Sequence, residues 1–157
     1  MRIFCVILTL TLLTGCAGSS AAAESPIAMS PEQAAEILLN ESGLGDLSTM
    51  TLLPSHLAEN FYSFGDGIAE FAIYTDGSGA TAREVAVLKV THSQYVRAAR
   101  ETLETRIRAL AREFENYRPS EMAKINNPIV EVRGNLIFMV LTDSPAEARS
   151  AIDTNFG

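Results

Sequence analysis

Residues 91–118 read THSQYVRAARETLETRIRALAREFENYR and decide the fold that the rest of the chain completes. Apolar side chains recur here at steps of three and four, with charged residues between them: Val96, Ala99, Leu103, Ile107, Leu110, Phe114 and Tyr117. This spacing predicts one amphipathic helix over residues 92–118, opened by a Thr91–Gln94 capping box and ended by Pro119. At about 1.5 Å per residue the helix is about 40 Å long, enough to cover a small sheet.

Four predicted strands flank this helix in pairs. Residues 68–74 (IAEFAIY) and 84–90 (EVAVLKV) precede it, while residues 129–133 (IVEVR) and 136–142 (LIFMVLT) follow it. The Gly-Asn dipeptide between the last two is a hairpin signal. Because 84–90 and 136–142 are the most apolar segments, they are expected at the centre of the sheet. We predict an α+β fold with a four-stranded antiparallel sheet in the order 68–74, 84–90, 136–142, 129–133.

Two shorter helices complete the predicted domain. Ser30 is followed by proline and by Gln33, which together are typical of a helix start with a capping box, and Gly43 is the expected end. Ser144, followed by proline and glutamate, begins a C-terminal helix that is predicted to run through Ile152. We expect both helices to lie with the long helix on one face of the sheet.

The first residues are typical of an export signal. Arg2 is followed by an apolar run over residues 3–13, which is too short to span a bilayer but suits a signal peptide. Leu-Thr-Gly at 13–15 then precedes Cys16. This order is similar to the bacterial lipobox, in which the cysteine is lipidated and becomes the first residue after cleavage. We therefore predict a lipoprotein signal peptide over residues 1–15 and lipidation of Cys16.

The rest of the chain divides into two parts that differ in composition. Residues 16–29 contain the lipidated cysteine and a stretch of small and polar residues, which is predicted to be a flexible tether. Residues 30–157 are predicted to form a single α+β domain. The predicted location is the extracytoplasmic face of the cell membrane, because two acyl chains at Cys16 give a stable anchor.

Charge and cysteine content exclude several classes of function. The formal net charge of −7 argues against nucleic acid or anionic lipid as a partner of the folded part. Both cysteines, Cys5 and Cys16, lie in the first sixteen residues. The predicted domain therefore has no disulfide, no thiolate metal site and no cysteine nucleophile.

The sequence predicts no catalytic residue, no cofactor-binding residue and no metal ligand. His56 and His92 are the only histidines, and neither belongs to a zinc or triad motif. The glycine-containing segments 65–67 and 76–79 could cradle an anion or calcium, but both lack the ligands of an EF-hand loop and a following Gly-Lys-Ser, and tight turns explain their glycines better. The long helix also carries a row of arginines that either docks an acidic partner or wall polymer or forms a solvated face: Arg97, Arg100, Arg108 and Arg112.

Several segments resemble one family. These are REVAVLKV at 83–90, the helix with Arg106 and FENYRP at 114–119, and PIVEVRGNLIFMVLTDSP at 128–145. In pattern and order over about residues 55–156, the chain resembles the domain-of-unknown-function 4358 family, small lipoproteins mostly of Gram-positive Clostridia. The resemblance implies a lipid anchor and an α+β layout. It implies no activity and no site residues.

Two functions are compatible with these observations. The first is a non-enzymatic binding or scaffolding module of the cell envelope, held at the membrane through Cys16, with an envelope protein or wall polymer as its partner. The alternative is a cell-surface hydrolase that uses carboxylates gathered from separate loops. A cavity with convergent acids would favour the second function.

Overall fold

The computed structural model describes residues 25–41 and 48–157. The predicted signal peptide, Cys16 and Gly43 lie outside these residues. The described elements follow the chain in this order: α1 (Pro31–Glu41), β1 (Met50–Leu52), α2 (Ser55–Phe61), β2 (Ile68–Asp76), β3 (Glu84–Val90), α3 (Val96–Tyr117), α4 (Met122–Ile125), β4 (Ile129–Arg133), β5 (Leu136–Leu141) and α5 (Pro145–Phe156).

The sheet is antiparallel, as predicted, but it has five strands and not four. Its order is β1-β2-β3-β5-β4, so the predicted order of the four longer strands is confirmed and β1 is added beyond β2. Met50 pairs with Asp76 and Leu52 with Tyr74. Strand β2 is therefore not the outermost strand, although β1 pairs only with its last three residues, 74–76. A three-residue strand next to Pro54 carries too few alternating positions to give a sequence signal.

The helices cover both faces of the sheet, which corrects the prediction of a single covered face. Val85 and Phe138 belong to a core cluster with α1 and α5. Their neighbours Ala86 and Ile137 belong to a second cluster with α2 and α3. Successive side chains of a strand point to opposite faces, and β3 and β5 are apolar at almost every position. Strands of this kind are buried on both faces, so a helical layer on each side is the physical consequence.

The long helix is continuous but begins later than predicted. A 3₁₀ turn occupies Ser93–Tyr95, and α3 starts at Val96 without a side-chain cap. The hydroxyl of Thr91 donates to the carbonyl of Gly67, so the predicted Thr91–Gln94 capping box does not form. Tyr117, the last residue of the apolar stripe, is 70% exposed.

The start of α1 matches its prediction. The amide of Gln33 donates to the Ser30 hydroxyl at 3.2 Å, and the amide of Ser30 donates to the Gln33 side-chain oxygen at 3.1 Å. This reciprocal pair is a capping box. Helix α5 starts after Ser144 as predicted and continues to Phe156, beyond Ile152.

The two ends of the sheet differ in their connections. At one end, named the hairpin end, β4 and β5 are joined by the predicted two-residue turn, and Arg133 pairs with Leu136. At the opposite end, named the loop end, β3 begins with Glu84, which pairs with Leu141 at the end of β5. The longer connection 77–83 and the segment around α4 lie at the loop end.

Candidate functional site

An ion pair between helix α3 and strand β3 lies at the centre of the candidate site. The Nε of Arg106 donates to one carboxylate oxygen of Glu84 at 3.0 Å, and its Nη2 donates to the other at 2.7 Å. The two side chains are 9% and 2% exposed. Bidentate pairing satisfies both carboxylate oxygens, which offsets the cost of removing two charges from water.

Two aromatic residues close this ion pair from the side of α2. Tyr62 directly follows α2, and its hydroxyl donates a hydrogen bond to the carboxylate of Glu84. The ring of Phe61 lies over the Arg106 guanidinium, whose carbon is 4.9 Å from the ring centroid. Phe61 itself is 51% exposed, so a large apolar surface faces solvent directly above a buried cation. This arrangement combines a cation–π contact with an accessible aromatic ring.

The buried position of these groups changes their pKa values. Burial is the main cause that raises the pKa of Tyr62 well above its usual value, and the charge of Glu84 adds to it. Burial alone would lower the pKa of Arg106, but hydrogen bonding and attraction to Glu84 outweigh it and raise that pKa. The tyrosine therefore stays protonated and the guanidinium stays charged at neutral pH.

Asp76 organises the neighbouring loop at the end of β2. Its carboxylate accepts hydrogen bonds from the Ser78 amide at 2.9 Å, the Ser78 hydroxyl at 2.7 Å and the Thr81 hydroxyl. Burial would raise its pKa, but the bonds from Thr81 and Ser78, with the nearby charge of Arg83, lower it to about 2. The segment 76–79 is thus a turn that side-chain hydrogen bonds stabilise. A tight turn is one of the two interpretations that the sequence allows for this segment.

A cavity of about 170 Å³ opens between this loop and α3 at the loop end. Its wall combines the ion pair and the aromatic cover with further loop and helix residues: Leu53, Phe61, Asp76, Thr81, Arg83, Glu84, Arg106, Leu110, Glu113 and Phe114. Three carboxylates meet two arginines there, so the lining is mixed in charge. The volume suits a side chain or a small group of a larger ligand better than a drug-sized molecule.

A second polar cluster holds α4 in place at the same end. Lys124 is 7% exposed and contacts Glu121 at 2.9 Å and Asp143 at 2.7 Å. Glu121 also accepts a hydrogen bond from the Ala82 amide. Burial alone would lower the pKa of Lys124, but its two acidic partners raise it. An open groove of about 760 Å³ runs past this cluster to the start of α5.

The histidines and the arginine row do not gather into a site. His56 and His92 are exposed, on α2 and just before the 3₁₀ turn of α3. Arg97 is bonded at 3.0 Å to Glu101 on its own helix. Arg108 donates to the Thr105 hydroxyl. Arg97 and Arg108 are exposed and contact neighbours on their own helix.

The central pair was missed from the sequence, although one signal for it was present. Leu103, Arg106 and Leu110 are spaced by three and four, so Arg106 falls in the apolar stripe. A charged residue at a buried helical position requires a partner. The identity of that partner depends on tertiary structure, since Glu84 lies 22 residues earlier in the chain.

Residues 25–41 and 48–157 contain neither a metal-binding cluster nor a helix that could span a membrane. No group of three or more histidine, cysteine, aspartate or glutamate side chains in this part of the chain has an arrangement that would hold a metal ion. Among the same residues, no helix combines the length and the apolar content needed to cross a bilayer.

These features define a small α+β domain in which an antiparallel sheet lies between two helical layers and a buried Glu–Arg–Tyr cluster closes one end. The family model described as "Domain of unknown function (DUF4358)" matches residues 45–142, more than half of the chain. The chain therefore belongs to this family, which confirms the family that the sequence predicted. The matched region runs from before β1 to the end of β5 and includes Tyr62, Glu84 and Arg106. Comparisons with curated proteins and with solved structures gave no match.

Proposed function

We propose that this protein is a lipoprotein of the extracytoplasmic face of the cell membrane, anchored through Cys16. One observation carries the anchor: an apolar run over residues 3–13 leads through Leu-Thr-Gly directly to Cys16. Acylation at that thiol gives two membrane-inserted chains, which together hold a domain stably where one does not. The family resemblance favours a place among the small lipoproteins of Gram-positive Clostridia.

The anchor is tested by metabolic labelling with a fatty-acid analogue in the native host or a Gram-positive relative. We expect the wild-type chain to carry the label and to sediment with membranes. The Cys16→Ala variant is expected to lose the label and to leave the membrane fraction or remain unprocessed. Cys5→Ala is the matched control and is expected to behave as wild type. An unlabelled wild-type protein in the cytosol contradicts the anchor.

For the anchored domain we propose a non-enzymatic role in binding or scaffolding another envelope component. The supporting observation is that two of the three carboxylates of the cavity, Asp76 and Glu84, are already engaged by hydrogen bonds and by arginines. Asp76, with a pKa of about 2, stays ionised and accepts bonds from its own loop, so it is a poor proton donor and a weak base. What the cavity offers to a partner is the exposed ring of Phe61 beside polar loop atoms. Aromatic anchors of this kind are enriched in binding surfaces.

The binding role is tested by photo-cross-linking in intact cells and by co-sedimentation with purified cell wall. Phe61→Ser removes the exposed ring. Leu52→Ser removes an exposed apolar side chain on β1 and serves as the control. We expect the first variant to lose the cross-linked adduct or the wall-bound fraction and the second to retain it. Recovery of the bait alone in both assays contradicts a binding role.

A cell-surface hydrolase is the second candidate, because Asp76, Glu84 and Glu113 converge on one cavity. Glu113 is exposed and is the carboxylate there with no hydrogen bond or ion pair among the described contacts. Release of soluble fragments from purified wall by the wild-type protein, lost in Glu113→Gln, would favour this function. Equal release by both proteins would show that Glu113 is not required for the cleavage, and no release by either leaves the binding role as the better account.

A further inference from the structure

A short segment before α1 is fixed across the hairpin end of the sheet. We name residues 25–29 the strap; they are the last part of the segment predicted to be a tether. The amide of Ile27 donates to the side-chain oxygen of Asn135 at 2.8 Å. The carbonyl of Met29 accepts a hydrogen bond from the Lys89 ammonium group at 3.0 Å. The side chains of Ile27 and Met29 pack against the core cluster on the α1 face.

The β4–β5 turn is shaped to receive the strap. Gly134 has a φ of +55°, which disfavours any other residue. A Cβ added at Gly134 would lie 2.5 Å from the carbonyl oxygen of Ser25 and 3.3 Å from the side chain of Ile27. The glycine therefore serves both the turn and the close approach of the strap. Hydrogen bonds, apolar contacts and this steric fit together fix the direction in which the chain leaves the domain.

From this geometry we infer that the strap orients the domain on the bilayer, with the hairpin end towards the lipid and the loop end away from it. The inference rests on the proposed anchor at Cys16. Nine residue steps separate Cys16 from Ser25, so the strap begins at most about 30 Å from the acylated thiol. Strand β3 has seven residues and separates the two ends of the sheet by a further distance of about 23 Å.

The orientation determines whether the candidate site faces the lipid or the extracytoplasmic space. The cavity beside Phe61 and the groove beside Lys124 both lie at the loop end, opposite the strap. A partner of either concave surface therefore approaches from the extracytoplasmic space and not from the lipid. In this orientation the surface around Asp66 and the β4–β5 turn faces the bilayer.

The test uses the full-length lipidated protein in nanodiscs that contain acceptor-labelled lipid. Neither native cysteine lies in the folded domain, so Asp66→Cys and Ser120→Cys each add one donor site at an exposed position, the first near the hairpin end and the second near α4. We expect higher energy transfer from Asp66→Cys than from Ser120→Cys. Equal transfer, or the reverse order, overturns the inference.

Release of the strap is the second arm of the experiment. Asn135→Ala with Lys89→Met removes both strap hydrogen bonds, and Asn60→Ala on α2 is the matched control. We expect faster hydrogen exchange at the Ile27 amide and a reduced difference in energy transfer between the two donor sites in the double variant only. An unchanged difference overturns the inference. If the double variant does not fold, the single variant Asn135→Ala is scored in the same way.

An acyl label on the same samples separates this inference from the proposed anchor. An unlabelled Cys16 with no protein in the membrane fraction overturns the anchor and the orientation together. A labelled, membrane-bound protein with equal transfer at both donor sites overturns the orientation alone.

Discussion

Arg106 and Glu84 form a bidentate ion pair that joins the long helix to the first residue of the central strand β3. Because both side chains are buried, each charge depends on the other for compensation. Arg106→Leu leaves the carboxylate buried without its cation and is expected to lower the free energy of unfolding by about 3–5 kcal/mol. Denaturant titration of wild type and variant measures this loss.

The double variant Glu84→Leu with Arg106→Leu is the informative control for that pair. It removes both charges, so no uncompensated ion remains, and it is expected to be more stable than Arg106→Leu alone. A double variant less stable than both single variants would show that the two residues contribute independently. It would contradict the view that the pair acts as one unit.

Tyr62 is expected to resist ionisation in the folded protein. Its pKa is raised well above the usual value of 10 by burial first and by Glu84 second. The folded state therefore retains a proton that the unfolded state loses above pH 10, so stability falls as the pH rises through this range. Absorbance titration of the phenolates in wild type and Tyr62→Phe measures the effect. The two proteins should show the same phenolate signal until unfolding, when wild type alone gains the additional one.

Asp76 makes the stability of the domain depend on pH in the opposite direction from Tyr62. Its pKa is lowered from 3.8 to about 2 in the folded state. Between those values the unfolded state binds more protons than the folded state, so the stabilisation is complete above the unfolded pKa and is lost as the pH falls towards about 2. Asp76→Asn keeps a side-chain acceptor for the turn but lacks this titration. We expect the variant to be less stable at neutral pH, with the difference decreasing between about pH 4 and pH 2. A difference that is constant over this range contradicts the assignment.

The parts of the fold that were predictable from sequence are those set by local pattern. The capping box of Ser30, the turn before Leu136 and the antiparallel order of the four longer strands depend on residues close in sequence or on simple apolar periodicity. The placement of α1 and α5 on the second face depends on how the layers assemble. The apolar character of β3 on both faces was the local signal for this arrangement, since a strand of a sheet covered on one face alternates apolar and polar residues.

The candidate site was less predictable for a related reason. Its residues come from α2, the end of β2, the start of β3 and the middle of α3. Only Arg106 breaks a local rule, since it lies in an apolar stripe. Glu84 and Tyr62 match the polar and aromatic content of ordinary strand ends and loops. Their common role exists only after the helices have packed, so no local pattern contains it.

Leu110 tests whether the apolar stripe of α3 stabilises the domain. The side chain is 3% exposed and packs in a cluster with Phe114 and Leu141 at the loop end. Leu110→Ala removes buried methyl groups and leaves a cavity, so we expect a loss of about 2–5 kcal/mol in the free energy of unfolding. Tyr117→Ala is the matched control on the same helix. Because Tyr117 is 70% exposed, its substitution is expected to change stability by less than about 0.5 kcal/mol. Both losses are measured by denaturant titration. Equal losses in the two variants would show that Leu110 is no more buried than Tyr117 at this end of the helix.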